Sequence, residues 1–71
     1  MVNKFTFRSY AYTEGSWQPI VSLDNLSFSV KRKMINLLKE RDGYYYDRKL
    51  RCYVRYEDGL IHNLVFIHKV I

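Results

Sequence analysis

Residues 50–71 read LRCYVRYEDGLIHNLVFIHKVI, and their pattern decides the fold. Leu50, Cys52, Val54 and Tyr56 alternate with Arg51, Tyr53 and Arg55, up to a turn at Glu57-Asp58-Gly59. The next strand is apolar on both sides, with Leu60, Leu64, Phe66 and Val70 on one and Ile61, Val65, Ile67 and Ile71 on the other. A one-sided strand followed by a two-sided one predicts an antiparallel hairpin. Its second arm belongs in the middle of a sheet that is covered on both faces.

Upstream the period changes. Leu26, Val30, Met34, Leu37, Leu38 and Arg41 recur at spacings of three and four, which predicts a helix over 26–42. Asp24, Asn25 and Ser27 are all suitable N-caps, and Gly43 is the expected stop. A start near Asp24 is preferred. A start at Ser29 would set Lys31-Arg32-Lys33 in the first turn, against the positive end of the helix dipole.

Residues 4–12, KFTFRSYAY, return to period two: Phe5, Phe7 and Ala11 face one way, Lys4, Thr6, Arg8, Tyr10 and Tyr12 the other. Thr13-Glu14-Gly15-Ser16 is turn chemistry. Trp17–Leu23 reads as a further short strand or ordered loop, held to an edge because Pro19 has no backbone donor. Of Tyr44-Tyr45-Tyr46, one or two rings are expected to seal the core, before a turn at Asp47-Arg48-Lys49. The fold class is therefore α+β, an antiparallel sheet of three to four strands packed on one helix, in the order β-(β)-α-β-β. Residues 1–71 make a single domain.

One helix covers one side of a sheet. The second apolar side of the last strand needs the N-terminal hairpin, another copy of the chain or a partner. Which residues line it depends on the turn. A two-residue turn at Asp58-Gly59 pairs Tyr56 with Ile61 and sets His62, Leu64, Phe66 and His68 beside the arginines, whereas a bulged three-residue loop pairs it with Leu60 and sets Ile61, Asn63, Val65 and Ile67 there. The bulged loop is the expectation, because Glu-Asp-Gly suits a type I turn followed by a left-handed glycine. In either register Arg51, Tyr53 and Arg55 are expected on the face away from the helix.

At 71 residues and 8.6 kDa the chain has no room for a cofactor fold or a two-domain cleft. Chains of this length bury only about 60% of their unfolded surface. No Gly-rich phosphate loop, nucleophile elbow or paired-carboxylate arrangement is present, so neither catalysis nor a cofactor is expected. His62 and His68 would lie about 20 Å apart on one strand, too far for a shared metal. The lone Cys52 and the lack of any apolar run approaching ~18 residues point to a cytoplasmic, non-membrane protein.

The net charge of +5 is local: residues 31–55 hold nine bases and three acids. With seven tyrosines in the chain, this directs attention to an anionic partner, met by Lys31, Arg32, Lys33, Arg48, Lys49, Arg51 and Arg55, with Tyr53, Tyr10 and Tyr12 as stacking rings. The expected function is non-enzymatic binding of nucleic acid or a nucleoprotein complex, with a homodimer through the second sheet face as a further possibility. Small one-helix chains rich in Tyr and Lys also resemble, in size and style, phage accessory and anti-defence proteins, anti-CRISPR proteins among them. That resemblance implies a protein inhibitor. The stretch LRCYVRYEDGLIHNLVFIHK resembles the closing hairpin of RelE-type messenger-cleaving toxins, which implies Arg, Tyr and His on the sheet handling RNA. The helix pair that follows the first strand in that family has no room between Leu23 and Gly43.

Overall fold

The computed structural model describes residues 3–70. Within them, β1 (Phe5–Thr13), β2 (Ser16–Leu26), α1 (Phe28–Glu40), β3 (Tyr45–Asp47), β4 (Cys52–Glu57) and β5 (Leu60–Lys69) follow in order. The strands form one antiparallel sheet in the order β2-β1-β5-β4-β3, so the two-sided strand β5 is central, as its pattern requires. The α+β class holds, but there are five strands rather than three to four. The Trp17 segment forms a full edge strand, and the tyrosine triplet supplies the short β3 that periodicity could not reveal. Ile71, expected in the last strand, lies outside the described residues.

The helix is shorter than its apolar spacing suggested. β2 continues through Leu26, and Ser27 is the N-cap, its hydroxyl accepting the Val30 N–H at 3.3 Å. Lys31 therefore follows the first turn closely, and that turn holds no acid. The conflict with the dipole is eased by packing: the Lys31 ammonium sits 4.4 Å from the Phe5 ring centroid and 4.9 Å from that of Phe28. At the far end the Arg41 N–H bonds to the Leu37 carbonyl and the Tyr44 N–H to that of Leu38, closing the helix around Gly43.

Leu38 packs with Phe7 and Val65 in the core, ringed by Leu26, Met34, Tyr44, Tyr53 and Ile67. Val30 and Leu37, placed on the same stripe by their spacing, remain exposed. The packing of Tyr53 against this core corrects the expected orientation of β4. Tyr53 pairs with Val65 and Arg55 with Asn63, so Tyr53 and Arg55 share the helix-covered face. Arg51 lies before β4, in a turn, at φ +58°.

The inversion comes from the side the helix covers, since Leu38 packs on the side of the sheet that carries Val65 and Ile67, and the turn differs from its expectation separately. Asp58 and Gly59 both take positive φ (53° and 79°), the geometry of a two-residue type I′ turn, and Tyr56 pairs with Ile61. The expected three-residue loop does not form. An irregularity between Arg55 and Tyr56 then shifts the register, so Asn63, Val65 and Ile67 still join Tyr53 and Arg55. Glu14-Gly15 turns the first hairpin in the same left-handed way, at φ 51° and 81°.

Replacing Leu38 with Ala should cost about 2–4 kcal/mol of stability by urea denaturation, the usual penalty for a truncated core leucine. The same change at its exposed neighbour Leu37 should cost less than about 1 kcal/mol.

Candidate functional site

The topology brings separate basic segments to one end of the sheet. There Phe5 pairs with Leu26 and Lys69, the Lys4 carbonyl accepts the Val70 N–H at 2.8 Å, and α1 begins. β3 also ends on this side, and the turn 48–51 leads back into β4 at Cys52. Lys4, Lys69, the Lys31-Arg32-Lys33 cluster and Arg48, Lys49 and Arg51 therefore gather at this end. None of these bases makes an ion pair among the described residues. Of the two acids nearby, Asp24 is held by Arg8 at 2.8 Å. Asp47 is engaged by its own turn, its Oδ1 accepting the Lys49 and Leu50 amides, both at 2.9 Å. The Arg51 amide closes the same turn on the Asp47 carbonyl at 2.8 Å, so three exposed bases are mounted on a fixed loop.

The predicted residues thus divide. Arg32, Lys33, Arg48, Lys49 and Arg51 are exposed at the basic end. Lys31 is partly committed to the rings of Phe5 and Phe28. Tyr53 and Arg55 are removed from the set by their place under the helix. The Arg55 Nε donates to the Asn63 Oδ1 at 2.8 Å, and its guanidinium lies 3.5 Å from Glu57. Glu57 also meets the His62 Nδ1 at 3.3 Å.

On the helix-free face the register aligns Thr6, Arg8 and Tyr10 with Leu64, Phe66 and His68, and these with Cys52, Val54, Tyr56 and Tyr45. Val54 and Cys52 are fully buried there without a helix above them. Tyr45 and Leu64 flank Val54 across the sheet, Tyr56 follows it along the strand, and the Tyr45 and Tyr56 rings stack at 5.7 Å. Nearer the basic end, Tyr10 meets Phe66 edge-on at 5.9 Å, and Phe66 meets His68 at 6.0 Å. Sequence reasoning had Tyr10 but missed Phe66 and His68. The expected register already grouped both with Cys52 and Val54, as observed, and misjudged only which side of the hairpin the helix covers.

Tyr12 belongs elsewhere. Pairing of β1 with β5 stops at Ala11–Asn63, and beyond it the two hairpins diverge. Between them lies an open cleft of about 300 Å³ lined by Tyr12, Trp17, Leu60, Ile61 and His62, with Tyr12 and Trp17 in edge contact at 5.3 Å. Glu14 and Glu57-Asp58 stand in the turns at this end, so the molecule is basic at one end and acidic and apolar at the other.

Burial, with a smaller contribution from Asp47, pushes the Cys52 thiol above its usual 9.0. Burial likewise raises the Tyr44 and Tyr53 hydroxyls above 10.0, partly opposed at Tyr44 by the Arg55 charge. Among the described residues no helix is long and apolar enough to cross a membrane, and no three His, Cys, Asp or Glu side chains cluster to hold a metal. No protein-family model, curated protein or solved structure matches the chain.

Two outcomes follow from these buried groups. Native Cys52 should resist thiol reagents at pH 8, labelling only as fast as the protein opens; labelling at the rate of a free thiol would contradict its burial. Because all three groups hold their protons more tightly when folded, stability should be intact below about pH 9. It should fall as pH rises through the raised values, measured by urea midpoints across that range.

Proposed function

We propose that this chain is a non-enzymatic binding protein that engages nucleic acid through its basic end. The observation that carries the reading is the convergence there of bases from separate stretches of chain while both nearby acids are occupied internally. Such a group neutralises several phosphates at once and releases their counterions, so its affinity falls steeply with salt. The fixed turn at Asp47 supports the reading further, because little ordering is left for the moment of binding.

A second reading, a protein inhibitor docking on another protein, is favoured by the cleft at the acidic end, where Trp17 is 40% exposed beside Tyr12.

Fluorescence anisotropy with short labelled RNA and DNA between 50 and 200 mM salt, roughly the range over which phosphate binding weakens, tests the first reading. Binding should weaken steeply, and R48Q/K49Q/R51Q should flatten the slope of log K against log salt by about 2, at ~0.7 for each phosphate no longer neutralised. Salt-independent binding, or none, defeats it. For the second reading, the emission of Trp17, the chain's one tryptophan, should shift when a host protein captured after nuclease treatment is added, and W17A should abolish capture.

A further inference from the structure

We infer that the nucleic acid suited to this protein is single-stranded, and that its bases stack on a row formed by Tyr10, Phe66 and His68 on the helix-free face. The inference rests on the proposed role of the basic end and gives that end its substrate class.

Three features of the face carry it. The rings are consecutive: Tyr10 meets Phe66 at 5.9 Å and Phe66 meets His68 at 6.0 Å. None of the three is buried, and α1 packs on the opposite face, so base-sized surfaces remain open. Beside them, Arg8 is opposite Phe66 on β1, and its guanidinium is fixed by the Phe7 carbonyl at 3.1 Å, the Leu23 carbonyl at 3.0 Å and Asp24 at 2.8 Å. A guanidinium so pinned has its charge largely answered by Asp24 and offers a rigid plane, which is what a stacked base requires.

Charge complementarity names the occupant. The row ends at His68, one residue from Lys69, and Cys52 places the turn of Arg48, Lys49 and Arg51 next to the same face. Flat rings next to cations that have no ion pair among the described residues match a polymer that alternates flat bases with phosphates. In a duplex the base faces are already stacked on one another, and only their edges are presented in the grooves. A row of rings then has nothing to meet, and the cations alone would hold the backbone. Preference for single strands over duplex is therefore the signature of the aromatic row, and steep salt dependence that of the basic turn.

The test uses the full chain and four labelled probes: a U12 RNA, a dT12 DNA, and the 12-base-pair RNA and DNA duplexes, with roughly 12 nucleotides chosen to span one such groove. The wild type should bind U12 or dT12, and whichever it favours identifies the sugar, about tenfold or more above the matching duplex. H68A and F66L should each weaken single-strand binding by about fivefold or more, consistent with ~1–3 kcal/mol per stacked base, and leave duplex binding and the salt slope unchanged. R48Q/K49Q should weaken both forms and flatten the slope. His68 is exposed, so H68A decides the matter even if F66L melts early. Equal affinity for single strand and duplex, or full affinity in H68A, overturns the stacking row while leaving the basic end as a phosphate site. Absence of salt-dependent binding to all four probes overturns both.

Discussion

The structure is governed by a shortage of cover: β5 is apolar on both sides, and among the described residues a single helix is at hand. α1 takes the side with Val65 and Ile67, seating Leu38 against Phe7. On the other side the sheet covers itself. Val54 is entirely hidden although no helix lies above it, because large side chains on its own and neighbouring strands close over it. Burying a valine in this way is favourable by about 1.5 kcal/mol or more. It leaves the covering rings half in water, and tyrosine, apolar in body and polar at its tip, suits that position. The abundance of tyrosine is thus first a consequence of the fold. A surface that could bind arises because the lid is made of rings.

The same topology sorts the charge. Along the chain, acids and bases alternate too closely for any segment beyond 31–55 to stand out. In space, the two hairpin turns carry Glu14, Glu57 and Asp58 to one end, while the helix start and the turn after β3 carry their bases to the other. The extents, 42 × 23 × 21 Å, separate the ends by several Debye lengths at physiological salt, so each meets its partner nearly independently of the other. Pairing Arg8 with Asp24 and Arg55 with Glu57 reinforces this division, since it removes from the field two bases that lie within the body of the sheet.

Much of the fold was legible because it rests on local periodicity. Phe5 and Phe7 announced a buried face of β1, the two-sided pattern of residues 60–69 announced a central strand, and spacing from Val30 to Leu38 announced the helix. The failures came where local pattern allowed two equivalent answers. Asp58-Gly59 accommodates two left-handed residues, but the irregularity beyond it keeps Tyr53 and Arg55 with Asn63, Val65 and Ile67, as expected. Because β5 is apolar on both sides, its pattern does not say which side the helix takes; α1 took the Val65 and Ile67 side, and Tyr53 and Arg55 left the candidate site with it. Three-residue β3 was illegible for a different reason: Tyr45 and Tyr46 give no alternation in polarity, and only their partners Val54 and Tyr53 define them as strand.

The edges of the sheet argue that any partner is met on a face or an end. β2 is long, exposed throughout most of its length and uncharged from Ser16 to Leu23, which would ordinarily invite another strand. Pro19 removes a donor from its middle, and register irregularities follow near Ile20 and again near Asn25, which sits at φ +58°. Each interruption bends the strand and breaks the row of amides that an incoming strand must match, so no long regular stretch is left to template pairing. At the other edge β3 is too short to offer a ladder. With both edges disabled, the exposed apolar and basic groups can be satisfied only through side chains, from the helix-free face, the basic end or the cleft between the hairpins.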